Sequence, residues 1–187
     1  VRAPLDARRI HRFLQELGRE ARTPGRVYLT GGATSVLMGW RVSTIDLDLR
    51  FEPEEEALYQ ALPRLKQALE VNVELASPAD FLPELPGWRE RSLYIVQYGP
   101  LAFYHYDPYS QALSKIERRH SKDLQDVAHW LRSGLVEPEK LRQLFEAIAP
   151  RLYRFPAIDP GTLRRALEET LAGQRDQGAS PETPAAG

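Results

Sequence analysis

The residues best suited to chemistry lie between positions 31 and 48: Gly31-Gly32-Ala33-Thr34-Ser35, then Thr44-Ile45-Asp46-Leu47-Asp48-Leu49. The second segment alternates acidic and aliphatic residues as a half-buried strand does. On a strand Asp46 and Asp48 point to the same face, with Ile45, Leu47 and Leu49 turned inward. Like charges side by side repel, and Asp is depleted in strands, so the pair is costly unless a cation sits between the two carboxylates. The first segment reads as a tight turn that leaves a short strand at 27–30 and enters a helix at 34–40. Backbone N–H groups at such a turn can approach a phosphate closely, with the hydroxyls of Thr34 and Ser35 as further donors. A carboxylate pair beside a glycine turn at a helix start is what metal-assisted chemistry on a nucleoside triphosphate needs. Each half has a plainer explanation when taken alone, as an ordinary turn or as the wet face of a strand. Gly31-Gly32 matches neither the P-loop nor the dinucleotide fingerprint. Only one short helix and a loop separate the halves, which brings them to the same end of adjacent strands.

The elements that must position these residues follow from pattern and punctuation. Residues 5–22 predict an amphipathic helix with Asp6 near its N-cap and Leu5, Ile10, Phe13, Leu14 and Leu17 on one side, broken by Thr23-Pro24-Gly25. After the strand at 45–51, Pro53 and the acids Glu52, Glu54, Glu55 and Glu56 resemble a helix start. That helix should run to about Glu70, with a bend at Pro63. Strands are predicted at 71–75 and, as a hairpin across Gly99-Pro100, at 92–98 and 101–106. Between them, 76–90 reads as a loop with one helical turn. The pattern then turns helical at 108–119, 122–133, 138–148 and 161–172, with Ser121 as a cap and Gly134 as a stop. From Gly173 the composition predicts a disordered tail. The expected fold is α/β (α+β): a mixed sheet flanked by helices over residues 1–107, a C-terminal helical region over 108–172, and the tail 173–187.

The stretch from Gly31 through Arg41-Val42-Ser43-Thr44-Ile45-Asp46-Leu47-Asp48-Leu49 resembles the signature of the DNA polymerase β-like nucleotidyltransferase superfamily. It looks closest to the minimal bacterial branch that includes AbiEii-type toxins. A second segment resembles that branch too: Lys115-Ile116-Glu117-Arg118-Arg119, then Lys122-Asp123-Leu124-Gln125-Asp126-Val127. The resemblance covers roughly residues 27–145. It implies that Asp46 and Asp48 bind Mg²⁺ bridging the phosphates of a nucleoside triphosphate, and that Gly31 and Gly32 hold those phosphates through their backbone. It implies that Lys115 neutralises phosphate charge and that Asp123 or Asp126 completes the site. The implied chemistry is in-line attack on the α-phosphorus with pyrophosphate leaving, to an RNA (tRNA) or protein acceptor, with an antitoxin partner. The sequence departs from the family in having Ala33 where Ser is frequent. The third carboxylate used by polymerase-type members has one candidate, Glu74. A second reading follows from these departures: a catalytically weak nucleotide-binding or regulatory module that retains the fold.

Composition excludes other chemistries. With no cysteine among 187 residues there are no disulfides, zinc-thiolate sites, Fe–S clusters or thiol nucleophiles. The four histidines, His11, His105, His120 and His129, form no close-spaced metal motif, and there is no nucleophile elbow. No apolar run reaches membrane-spanning length and no signal segment opens the sequence, so the cytoplasm is the expected location. A net charge of −1 gives no global reason to bind nucleic acid. The stretch from Arg2 to Arg26 is locally basic, which suits a solvated helix face or a docking surface. Tyr94, Tyr98, Tyr104, Tyr106 and Tyr109 suit either base stacking or packing.

Overall fold

The structure, a computed structural model, describes residues 4–178. The chain runs α1 (Ala7–Glu20), β1 (Gly25–Thr30), α2 (Gly31–Leu37), β2 (Asp46–Glu52), α3 (Glu56–Ala68), β3 (Asn72–Leu75), α4 (Trp88–Arg91), β4 (Leu93–Tyr98) and β5 (Leu101–His105). Four helices follow: α5 (Pro108–Arg118), α6 (Ser121–Arg132), α7 (Pro138–Ile148) and α8 (Pro160–Gly178). Short 3-10 turns occupy Pro78–Asp80 and Ala149–Arg154. The five strands form one mixed sheet in the order β3-β2-β1-β5-β4. Within it β1 pairs antiparallel with β2 and parallel with β5, and β3 lies parallel to β2. The mixed α/β fold with a helical C-terminal region is therefore the one the sequence predicts.

Strand alternation gives the sheet two different faces. Val27 and Leu29 of β1, Leu47, Leu49 and Phe51 of β2, Val73 of β3 and Phe103 of β5 join one buried core with the apolar stripe of α1. Asp6 caps α1 by accepting from the N–H of Arg9 at 2.8 Å. Tyr28 points the other way, into a separate ring cluster with Trp88 and Tyr106, whose planes stack at 4.5 Å. On that second face β2 presents Asp46, Asp48, Arg50 and Glu52, all half-buried. A second core, among them Leu113, Ile116, Trp130, Phe145 and Leu167, belongs to the C-terminal helices. Asp107 ties the two parts: fully buried, it accepts two bonds from Arg91 at 2.8 and 3.0 Å and caps α5 through the N–H groups of Tyr109 and Ser110.

Several local expectations need correction. Helix α2 begins at Gly31, not Thr34, because Gly31 takes φ +65° and turns the chain directly from β1 into the helix. Ile45 is 67% exposed instead of buried, since it precedes β2 on a loop and escapes the alternation. Pro53 stands ahead of α3, which starts only at Glu56. His120, not Ser121, occupies the N-cap of α6, and Ser121 is its first helical residue. Helix α8 continues past Gly173 to Gly178; the rest of the expected tail lies outside the described residues.

One close approach locks the hairpin to the first helix. A Cβ at Gly18 of α1 would overlap the backbone of Tyr98, and one at Gly99 would come within 2.6 Å of the Gly18 carbonyl oxygen. Gly18→Ala gains about 1 kcal/mol of helix propensity, yet the obstacle is backbone and cannot rotate away. The expected net result in urea melts is destabilisation by about 1–3 kcal/mol.

Candidate functional site

Asp46 and Asp48 sit where the alternation places them, side by side on the open face of β2. The strand register fixes their neighbours: Asp48 lies opposite Thr30 of β1 and opposite Glu74 of β3, and Asp46 lies opposite Asn72. Directly opposed residues share a face. Thr30, Asp48 and Glu74 thus form one row across the sheet, and the Asn72 amide donates to Asp46. Burial, with the negative charges of Glu74 and Asp46 added, raises the Asp48 carboxyl from 3.8 to about 6. Such a shift marks a carboxylate short of positive charge, which a bound cation would supply.

The glycine turn closes in on this pair. A Cβ on Gly31 would stand 2.6 Å from Oδ2 of Asp48, so the missing side chain leaves the carboxylate its space. A Cβ on Gly32 would overlap Thr44, which precedes β2. The backbone N–H of Gly31 is not free for a phosphate: it donates to Oε1 of the buried Gln111 at 3.1 Å. That oxygen also accepts from Thr30 at 3.2 Å, while the Gln111 amide donates to the Tyr106 carbonyl at 2.8 Å. Gln111 on α5 is therefore the clamp on the turn. Sequence reading missed it, because an isolated Gln in a helix carries no pattern.

Thr34 and Ser35, expected as phosphate donors, are turned into the interior with Ala33. The Thr34 hydroxyl donates to the Leu29 carbonyl at 3.2 Å and meets Nδ1 of His105, and Ser35 reaches the Gly31 carbonyl. In a helix that starts at Gly31 these positions face the sheet, so their hydroxyls serve the fold. The buried His105 imidazole is pushed down to about 4 by desolvation.

Across from the carboxylates, α5 and α6 supply the other wall of a cleft of about 400 Å³. Gly31, Gly32, Asp46 and Asp48 line one side; Lys115, Arg118 and residues 120–123 line the other. Of the residues expected at the site, Gly31, Gly32, Asp46, Asp48, Lys115 and Asp123 line this cleft, and Asp126 and Glu74 do not. Lys115 is buried and donates to Asp126 at 2.6 Å and Asp123 at 2.9 Å. Its ammonium is thus already neutralised inside the protein. Asp123 and Asp126, both buried, hold Lys115 instead of joining Asp46 and Asp48. Arg41 adds to the cluster, donating to Asp126 at 2.6 Å and to the Lys122 carbonyl at 3.0 Å. Trp40 beside it stacks on His129 and meets Trp130 edge-on, so the loop ahead of β2 is pinned to α6. Arg118 and Lys122 remain at the surface of the cleft, and α6 opens on it with no side chain capping its N-terminus.

Among the described residues no group of three or more His, Asp or Glu side chains is gathered to hold a metal ion. Two carboxylates suit Mg²⁺ nonetheless, since it keeps several waters and is bound by one or two carboxylates plus substrate phosphates. The aromatic hairpin packs more than it presents. Tyr106 and Tyr109 are buried, Tyr98 meets His11 and Phe103, and Tyr94 is exposed.

A mixed sheet carrying an acidic pair beside a glycine turn, faced by a cationic helical wall, defines a domain of the nucleotidyltransferase type. The chain belongs to the family described as nucleotidyltransferase of unknown function (DUF6036), whose model matches residues 8–156. No curated protein and no solved structure matches it at significance. No helix among the described residues is long and apolar enough to cross a membrane.

Proposed function

We propose that the protein is a Mg²⁺-dependent nucleotidyltransferase that moves a nucleotide from a nucleoside triphosphate to a hydroxyl of an RNA or protein acceptor. The observation that carries this reading is the convergence of Asp46, Asp48 and the diglycine turn on one cleft whose far wall bears Arg118 and Lys122. Asp46 and Asp48 would hold the ion; when bound, it would draw charge from the phosphates and orient the α-phosphorus. Arg118, Lys122 and the uncapped start of α6 face the space where the polyphosphate would lie and favour its negative charge. The absence of side chains at Gly31 and Gly32 lets that ligand approach the strand. In the transfer, the acceptor oxygen bonds the α-phosphorus as its bond to pyrophosphate breaks. The hydroxyl proton leaves toward the exposed Glu74 or water.

The resemblance to the AbiEii-type branch extends the proposal to a toxin silenced by an antitoxin, acting in the cytoplasm. Expression of the wild type alone would then arrest growth, and that of Asp46→Asn would not. One observation favours the second reading, a nucleotide-binding module without turnover: among the described residues Glu74, though opposite Asp48, is not gathered with Asp46 and Asp48 into a three-carboxylate metal group. Incubation with α-labelled nucleoside triphosphates, Mg²⁺ and total RNA or protein separates the two. Transfer of label with pyrophosphate release, lost in Asp46→Asn, supports the enzyme; nucleotide binding without either product supports the module.

A further inference from the structure

A second cleft, of about 560 Å³, lies further along β2. Its rim includes Arg50, two residues beyond Asp48 on the same face of β2 and so roughly 7 Å along the strand. It also includes Leu75, which follows Glu74 on β3 and shares the opposite face of the sheet with its partner Leu49. The far wall is the 3-10 turn Ala149–Arg154, which brings Arg151 and Arg154, and Phe155 after it; Tyr59 of α3 supplies a second ring.

The charges in this cleft are unevenly matched. Arg50 pairs with Glu84 at 2.7 Å, and Asp80 accepts from the N–H of Ser77 at 2.7 Å. Among the described residues Arg151 donates only to the carbonyl of Glu84 at 2.9 Å, and Arg154 only to the hydroxyl of Tyr153 at 3.2 Å. Neither guanidinium has a carboxylate partner among the described residues. In-line transfer demands that the acceptor arrive opposite the leaving pyrophosphate. The cationic wall of Arg118 and Lys122 lies over Asp46 and Asp48, and this cleft opens beyond Asp48 and Glu74.

We propose that this second cleft receives the acceptor, and that the acceptor is the end of a single-stranded nucleic acid. The terminal ring would lie against Tyr59 and Phe155, and one or two phosphates would lie on Arg151 and Arg154. Glu54, Asp80 and Glu84 share the lining, which makes the cleft a poor track for a long backbone and suits a terminus. The proposal rests on the reading of Asp46 and Asp48 as the catalytic carboxylates.

The test uses the full chain, with a short fluorescent single-stranded RNA of mixed sequence followed by anisotropy at several salt concentrations. Wild type should bind. Arg154→Glu should weaken binding about tenfold or more, and Arg154→Lys should keep most of it. The pair Arg151→Ala and Arg154→Ala together should lower the slope of log affinity against log salt by about 1.4. In every variant the rise in melting temperature produced by Mg²⁺ and ATP should match wild type, which also shows that the variants fold. Affinity and slope unchanged in the arginine variants would overturn the proposal. Label from an α-labelled triphosphate appearing on protein, resistant to ribonuclease, would overturn it too. RNA binding that depends on Arg154 in a protein that Mg²⁺ and ATP never stabilise would instead sink the nucleotidyltransferase reading and leave the cleft as a nucleic-acid site.

Discussion

Asp48→Asn is expected to raise the melting temperature of the free protein at pH 8 and to abolish the further rise that Mg²⁺ and a nucleoside triphosphate give the wild type. The two effects have one cause. The Asp48 carboxyl titrates near 6 in the fold against 3.8 for the ordinary group, because it is half-buried and faces Glu74 and Asp46. Above pH 6 it is ionised in both folded and unfolded chains, and its charge costs the fold up to about 3 kcal/mol, at 1.36 kcal/mol per unit. That cost fades as pH falls through 6 and is gone below about 4, where the group is neutral in both states. An uncharged Asn of the same shape removes it, which for a chain of this size means roughly 5–10 °C. The wild type should recover the cost if a cation binds there. A ligand at a hundredfold its dissociation constant adds roughly 2.7 kcal/mol, and the variant, lacking a ligand oxygen, should lose that gain. A free-protein melting temperature at pH 8 equal to or below wild type would mean that Asp48 is not held against its neighbours' charge.

His105 makes the pH profile of that comparison diagnostic. Its imidazole is neutral in the fold down to about 4, whereas an unfolded histidine protonates below about 6.5. The unfolded chain therefore takes up a proton first as pH falls, and stability contributed by the neutral ring is lost between 6.5 and 4. Over much of that window Asp48 changes stability in the opposite direction. Wild type should show a shallow profile between pH 4 and 6. Asp48→Asn should unmask a steeper loss on acidification, visible in urea melts at half-unit steps.

The strand and its acids were legible because period-2 alternation is local, and it fixed which face Asp46 and Asp48 share. What alternation could not supply was sheet order. The parallel pairing of β1 with β5, and the edge position of β3 that sets Glu74 beside Asp48, depend on contacts distant in sequence. The turn was legible as a turn, but the direction of its hydroxyls was not. The positive φ at Gly31 starts the helix at once and rotates Thr34 and Ser35 into the core. Gln111 was invisible for a related reason: one buried amide satisfying four polar groups on β1, α2 and the end of β5 leaves no trace in periodicity.

The Lys115 cluster separates sequence order from spatial role most sharply. Asp123 and Asp126 stand eight and eleven residues after Lys115, and they meet it only because Arg119 takes a left-handed conformation that folds α6 back against α5. Replacing Lys115 by Met leaves two buried carboxylates with only Arg118 and Arg41 to balance them. Breaking a buried ion network in this way costs about 3–5 kcal/mol, so the melting temperature of the free protein should fall by about 10 °C. A lysine whose only task was to meet phosphates would behave otherwise: its loss would leave the free protein unchanged and weaken nucleotide binding alone. Adding Asp126→Asn to Lys115→Met should recover part of the stability, since the orphaned charge goes with its partner, and a coupling of about 0.5–3 kcal/mol in the double-mutant cycle would measure it. The same double variant takes from Arg41 its carboxylate partner and leaves it the Lys122 carbonyl, which loosens one of the ties on the loop that leads into Asp46. A chain that regains its melting temperature but not its response to Mg²⁺ and nucleotide would show that the cluster holds the carboxylate pair in position, at a distance from the phosphates themselves.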